Sequence, residues 1–257
     1  MIDSHCHIGL NQTDITDLLL RAQAAGVTNM LSVACSVPEY PALLKLLDTY
    51  PMVYGAFGVH PEYADTMPDD ADVIQKLTAH SHLVAVGECG LDYHYTPETK
   101  DIQRKVFEKH IELAHQLNMP LIIHTREADE DTIAILESAD RAGWLSMGGV
   151  LHCFTGSERL AKKGLTCGLY ISASGVITFK MADEVRRVFQ LIPLNRLLIE
   201  TDSPYMDPVP YRGKINEPSY LPKTAEKLAE LKGVSLQEIE QITDHNFQVL
   251  FHITKGE

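Results

Sequence analysis

The sequence has little cysteine and no CxxC pair: five residues, at positions 6, 35, 89, 153 and 167. An odd, widely spaced set argues against a disulfide framework and fits a reduced compartment. No run of 18 apolar residues occurs, which excludes a membrane-spanning helix. The opening Met1-Ile2-Asp3-Ser4-His5 lacks the basic segment and apolar stretch of a secretory signal, so the cytoplasm is the expected location. No low-complexity tract and no Gly, Ser or Pro-rich linker interrupts the 257 residues, and one domain over residues 1–257 is expected. Positive charge is also short, with 22 Lys and Arg against 35 Asp and Glu, a net −13. That excludes the broad basic face with which proteins wrap a long duplex. A phosphodiester substrate would have to be held by local charge and by metal ions. No membrane and no obligate protein partner is expected.

What the sequence does have is one alternation, repeated. Short apolar runs at 2–8, 29–35, 52–59, 83–88, 120–124, 149–153, 169–173 and 197–202 read as strands buried on both faces. Between and after them, helical spacing covers 15–25, 41–50, 71–79, 97–117, 129–139, 158–165, 182–191, 221–231 and 236–250. Within 97–117, Phe107, Ile111, Ala114 and Leu117 form one apolar stripe. Thr96-Pro97 reads as an N-cap followed by proline at the first helical position, and Ser235-Leu236-Gln237-Glu238 as a capping box. Gly26, Gly143 and Gly233 follow helical stretches, where glycine suits the left-handed C-terminal position. Eight β-α units predict a closed (β/α)8 TIM barrel, with an open doubly wound sheet as the competing architecture. The barrel is preferred because polar residues recur at the C-terminal ends of many strands, which only a barrel brings to one place.

His5 and His7 lie two residues apart on the first strand, so both side chains face one way and Cys6 the other. Cys89 and Cys153 likewise adjoin candidate ligands and are expected to turn away as small buried hydrophobes. Other strand ends offer His60, Glu88, His124, His152 and Asp202. Five of the twelve histidines thus fall at predicted strand C-termini. Four imidazoles (His5, His7, His124, His152) and two carboxylates (Glu88, Asp202) exceed the donors one metal takes, and suit two divalent ions about 3.5–4 Å apart around a water. His5, His7 and Asp202 would hold one ion and His124 and His152 the other, with Glu88 as the bridge. Asp202 would also orient the water and accept its proton, so Asp202 and Glu88 are the expected catalytic pair. Hard carboxylates favour Mg²⁺ or Mn²⁺ and four imidazoles favour Zn²⁺. Glu200, two residues before Asp202, is expected behind the ligands. His60, Arg126 and Tyr205 are expected to meet substrate. So are Arg212 and Lys214 in the proline-rich stretch 203–218, where arginine suits a phosphate oxyanion.

Seven motifs stand in order over residues 3–218: Asp3-Ser4-His5-Cys6-His7, Gly58-Val59-His60-Pro61, Gly87-Glu88-Cys89-Gly90-Leu91-Asp92-Tyr93, His124-Thr125-Arg126, His152-Cys153-Phe154, Glu200-Thr201-Asp202-Ser203-Pro204-Tyr205 and Arg212-Gly213-Lys214-Ile215-Asn216-Glu217-Pro218. Together with Asn246-Phe247 and Leu250-Phe251 they resemble the TatD family of metal-dependent DNases. The resemblance implies a TIM-barrel hydrolase, often magnesium-dependent, with 3′→5′ exonuclease activity on DNA. It implies that His5, His7, Glu88, His124, His152 and Asp202 bind metal and that His60 lies at the site. Many members read Tyr-Tyr-Tyr where this chain has Tyr93-His94-Tyr95, a departure that bears on substrate contact and not on the chemistry. The expected activity is therefore hydrolysis at DNA strand ends or of short oligonucleotides. Two alternatives are hydrolysis of small amides, lactones or esters on the same centre, and non-catalytic metal binding.

Overall fold

The computed structural model describes residues 1–9 and 14–253. Strands β1 (Ile2–Cys6), β2 (Asn29–Ala34), β3 (Val53–Phe57), β4 (Leu83–Asp92), β5 (Leu121–Arg126), β6 (Gly149–Leu151), β7 (Tyr170–Ala173) and β8 (Leu197–Ile199) form one parallel sheet in sequence order. Helices α1 (Ile15–Ala24), α2 (Tyr40–Thr49), α3 (Asp70–Leu77), α4 (Lys100–Leu117), α5 (Asp129–Arg141), α6 (Glu158–Thr166), α7 (Asp183–Leu191) and α8 (Leu221–Lys232) each follow one strand, and α9 (Leu236–Leu250) comes last. The eight-stranded order and its helices are those of a (β/α)8 barrel. Closure is made just past β8. The Asp202 amide donates to the His5 carbonyl (3.0 Å) and the His7 amide to the Ser203 carbonyl (2.7 Å). Buried Asp3 reinforces this seam by accepting from the Thr201 amide (2.9 Å) and hydroxyl (2.6 Å). Among the described residues, no helix is long and apolar enough to cross a membrane.

The strands are apolar throughout because both faces are covered. Outward side chains such as Met30, Val53 and Leu83 pack with the helices, including Phe107 and Ile111 of α4. Inward ones, among them Leu31, Val33, Ala56, Ile122 and Leu198, fill the barrel. Phe247 and Leu250 of α9 join this inner core, and the Asn246 amide donates to the carbonyls of Leu194 and Leu197. One end of the barrel is thereby plugged, which leaves the C-terminal ends of the strands as the open mouth.

Two strands change parity on the way to that mouth. In β1 the register slips between Asp3 and Cys6, and in β4 between Val86 and Cys89. An extra residue on one strand turns the following side chains over. Ile2 and His5 therefore both face inward although one is even and one odd, and so do Ala85 and Glu88. Gly87 makes the second slip possible: its φ is +147°, and a Cβ there would lie 2.6 Å from the Ile122 carbonyl oxygen.

Some boundaries differ from expectation. β4 continues beyond Glu88 to Asp92, while β6 and β8 stop at Leu151 and Ile199, before His152 and Asp202. Pro97 opens a 3₁₀ turn, Pro97–Thr99, ahead of α4. Thr96 does not cap it, because its hydroxyl is engaged by Gln103 Nε2 (2.8 Å) and the Asp92 carbonyl (3.3 Å). Ser235 does cap α9, accepting from the Glu238 amide at 3.2 Å, and Gly26, Gly143 and Gly233 all take positive φ.

His110 shows how a helix outside the barrel sets a loop at its mouth. It is fully buried on α4, pairs through Nδ1 with the Val106 carbonyl (2.7 Å), and accepts the Val59 amide on Nε2 (3.0 Å). Burial pushes it down to about 4 from 6.5. The unfolded chain takes up a proton near 6.5 and the folded chain only near 4. The stabilisation is thus complete above 6.5 and lost as pH falls toward 4. At about 1.4 kcal/mol per unit the window is worth about 3 kcal/mol. His110→Gln keeps an acceptor without this titration. Urea denaturation at pH 7 and at pH 4 should show wild type losing about 3 kcal/mol relative to His110→Gln; an equal loss in both proteins would refute this.

Candidate metal centre

The mouth collects side chains from all eight units. On β1, His5 Nε2 and His7 Nε2 stand 3.2 Å apart. Glu88 Oε2 lies 3.3 Å from the first and 3.8 Å from the second, and Asp202 Oδ1 lies 3.8 and 3.5 Å from them. Donors bound about 2.1 Å from one tetrahedral ion stand about 3.4 Å apart, so this spacing suits a single cation. On the other side, Glu88 Oε1 lies 2.9 Å from His124 Nδ1 and 2.7 Å from His152 Nε2, which are 3.3 Å from each other. His60 Nε2 is 3.5 Å from the same oxygen. Glu88 thus presents one oxygen to each group of histidines. The groups His5–His7–Asp202, His7–Cys35–Glu88 and His60–Glu88–His124 are each close enough to hold a metal ion.

Behind these donors sit groups that fix the rings. His124 Nε2 meets Asp92 Oδ2 at 3.0 Å, and His152 Nδ1 meets Glu200 Oε1 at 3.3 Å. Carboxylates behind imidazoles are the usual way to hold a ligand's tautomer and raise its basicity. Asp92 is itself held by the amides of His94 (2.9 Å) and Tyr95 (2.8 Å) on Oδ1. His7 Nδ1 faces the Val33 carbonyl at 3.3 Å. The buried Nδ1 of His5 has no hydrogen-bond partner among the described residues.

The electrostatics favour a cation at this place. Burial alone would raise the Glu88 carboxyl, but the charge of His152 and bonds from His124 and His152 hold it well below the usual carboxylate range. Burial works against a proton on His152, yet Glu88 and Glu200 raise it well above 6.5. Two acidic neighbours therefore draw positive charge to the barrel axis. The donor set of three buried imidazoles, the half-buried His124 and two buried carboxylates fits divalent metal.

His60 is of a different kind. Burial pushes it down to about 3, so it is neutral. Its Nδ1 accepts from the Glu62 amide at 3.2 Å, which leaves the hydrogen on Nε2, facing Glu88 and the cavity. It is a donor at the site.

A cavity of about 490 Å³ opens over this cluster. His7, His60, Glu88, His124, His152 and Asp202 line its floor, and Arg126 and Tyr205 line it too. Arg126 lies over the Tyr95 ring, 4.6 Å from its centroid. Arg212 and Lys214 do not line it. The Arg212 guanidinium rests 3.8 Å over the Phe179 ring and pairs with Asp207, and Lys214 lies over Tyr211. His94 is also outside it, paired with Glu127 at 2.7 Å.

Cys35, Asp92 and Cys153 are among the side chains that reach the cavity without having been expected there. Cys35 follows Leu31 and Val33 on the inward parity of β2 and ends 3.4 Å from Glu88 Oε2; strand alternation alone would have found it. Asp92 shares the inward parity of Glu88, but only once β4 is known to run that far. Cys153 was expected to turn away. It is half-buried beside Ser174 (3.2 Å) and lines the cavity, because β6 ends two residues earlier and alternation no longer governs it. Cys6 and Cys89 are fully buried in the outer core as expected, and all five cysteines are free.

A (β/α)8 barrel with buried imidazoles and carboxylates gathered at its mouth defines a metal-dependent hydrolase. Comparison with known proteins places it further. The family model described as TatD related DNase matches residues 2–252. The uncharacterized metal-dependent hydrolase YcfH of Escherichia coli is 45% identical over 98% of this chain and 96% of its own length. The 3′-5′ ssDNA/RNA exonuclease TatD of Salmonella typhimurium is 35% identical over 96% of this chain and 98% of its own. The crystal structure of YJJV, a TatD homologue from E. coli, superposes with a TM-score of 0.90 at 30% identity, covering 99% of this chain and 98% of that one. The chain belongs to the TatD family of metal-dependent hydrolases.

Proposed function

We propose that the protein is a deoxyribonuclease that removes nucleotides from the 3′ ends of single-stranded DNA using two divalent cations. The observation that carries this reading is Glu88, whose two oxygens address two separate sets of imidazoles. His5, His7, Asp202 and Glu88 Oε2 would hold one cation, and His124, His152 and Glu88 Oε1 the other. When bound, such ions lower the pKa of water and neutralise charge on phosphate oxygens. Asp202 accepts the proton of the attacking water, a role typically worth 10²–10⁴-fold. His60 donates from Nε2 to a phosphate oxygen, and Arg126 holds another. Glu200 and Asp92 keep His152 and His124 aimed at the centre. Similarity to an exonuclease named for single-stranded DNA and RNA supports the substrate class.

One observation favours a second reading, hydrolysis of small lactones, amides or esters. Among the described cavity-lining residues Arg126 is the one Lys or Arg, against Glu39, Glu62, Glu88, Asp92 and Asp202. The deciding experiment strips the protein with chelator, restores Mg²⁺, Mn²⁺ or Zn²⁺, and supplies 5′- and 3′-labelled single strands beside a panel of lactones and esters. Mononucleotide release from the 3′ end, dependent on metal, is expected. Turnover of the panel with no release from DNA under any metal would favour the second reading and defeat the first.

A further inference from the structure

Three tyrosines stand around the mouth. Tyr63, Tyr95 and Tyr205 line the cavity and are 41%, 59% and 52% exposed. Each is set beside a group of the site. Tyr63 meets the His60 ring edge-on at 6.4 Å, Tyr205 meets the His7 ring edge-on at 6.0 Å, and Tyr95 lies under Arg126. Their hydroxyls have no hydrogen-bond partner among the described residues, whereas Tyr40 and Tyr93 bond the Lys76 carbonyl and Asp131. Apart from the face of Tyr95 that Arg126 covers, ring surface is thus left open to the cavity without a hydroxyl bond that explains it. The charge around them is the wrong sign for gripping a nucleic-acid backbone, with five carboxylates and one arginine on the wall. A strand drawn in by phosphate contacts needs several cations along its path. Here the means of holding it is the π-face that every base carries.

We propose that Tyr63, Tyr95 and Tyr205 form a stacking platform for the last bases of a single strand, holding it by its bases while the floor of the cavity acts on a phosphate. This rests on the reading of the substrate as nucleic acid. The platform reads no sequence, because stacking is open to all four bases. It selects unpaired ends, since a base within a duplex has both faces covered. It also makes binding only weakly salt-dependent, unlike that of a protein which releases counterions from many phosphates.

The test measures binding apart from cleavage. Purified protein as isolated, with its metal, is titrated into a fluorescein-labelled phosphorothioate dT10, whose linkages resist cleavage, and into a fully abasic phosphorothioate decamer of the same charge. Stacking is worth about tenfold per base in order of magnitude, so dT10 should bind at least tenfold tighter. Tyr95→Leu and Tyr205→Leu should each reduce that preference about fivefold. Raising NaCl from 50 to 200 mM should weaken dT10 binding less than about fivefold. Far-UV circular dichroism checks that these exposed substitutions leave the fold intact. Equal affinity for the two decamers, no measurable binding of dT10, or variants that keep the full preference would overturn the platform. The nuclease reading fails on a different result, namely no cleavage of intact strands with any metal. In that event the affinities still decide whether the platform exists.

Discussion

Replacing Glu88 by glutamine is expected to cost the enzyme both cations and more than about 10³-fold in turnover. The side chain is buried, and its two oxygens lie within 2.7–3.8 Å of five imidazoles, those of His5, His7, His60, His124 and His152. An amide of the same shape offers one neutral oxygen where the carboxylate offers a shared charge, and its NH₂ points a donor at one group of rings. Loss of a single outer partner typically costs 10–100-fold in metal affinity or activity. Loss of the bridge should exceed that, because it removes a ligand from both positions together. The double variant His5→Ala, His7→Ala makes the informative contrast. It strips one position only, so the His124–His152 side should stay partly occupied. Elemental analysis should give near zero metal per chain for Glu88→Gln and close to one for the histidine double. Melting temperatures with added Mn²⁺ should rise for wild type and not for Glu88→Gln. Two metals per chain in Glu88→Gln would defeat the bridging assignment. Metal-free Glu88→Gln should be less stable than metal-free wild type at pH 7, since it removes the carboxylate paired with His124 and His152 and leaves the charge drawn to His152 without that partner.

How much of this was legible in the sequence depends on whether periodicity or contact decides a position. His5 and His7 share a face by alternation, and His124 and Arg126 do the same. Those pairs, and the eightfold repeat that brings them to one end, are readable. The slips in β1 and β4 are not. They reverse parity through one added residue, and no apolar pattern marks where a strand yields it; the sign in β4 is the glycine at 87. Asp92 was hidden for another reason: it shares the parity of Glu88, but the apolar run ends at Glu88 and nothing in it marks that β4 continues. Cys35 could have been found, since Leu31 and Val33 already pointed to its side. The stretch 203–218 is set by contacts instead of periodicity. Asn216 donates to the carbonyl of Thr201 at 2.8 Å and to that of Tyr205, and Arg212 folds back on Asp207. The rule that arginine suits phosphate says nothing about where such a loop carries it. Arg212 and Lys214 therefore lie away from the cavity, while Arg126, fixed by β5, lies in it.

Asp202→Asn is expected to lower turnover by about 10²–10⁴-fold, the range of a lost general base, with little change in KM for single strands. The residue lies just past β8, where the seam with β1 fixes its backbone by the bond to the His5 carbonyl. Asp3 locks the preceding Thr201 from the other side. Its position is thus held independently of its charge, and asparagine should occupy the same place. Oδ1 faces His5 and His7, so the substitution also weakens that cation position, while Glu88, His124 and His152 keep theirs. The base is needed only as the water loses its proton, whereas strand binding draws on groups the substitution leaves intact. An interaction made only in the transition state lowers kcat and kcat/KM together, and one made equally in the ground state raises KM alone. Kinetics on a labelled single strand, with metal content measured on the same preparation, separate the two. A kcat within tenfold of wild type, with two metals retained, would remove Asp202 from the chemistry and leave the proton to another group at the mouth.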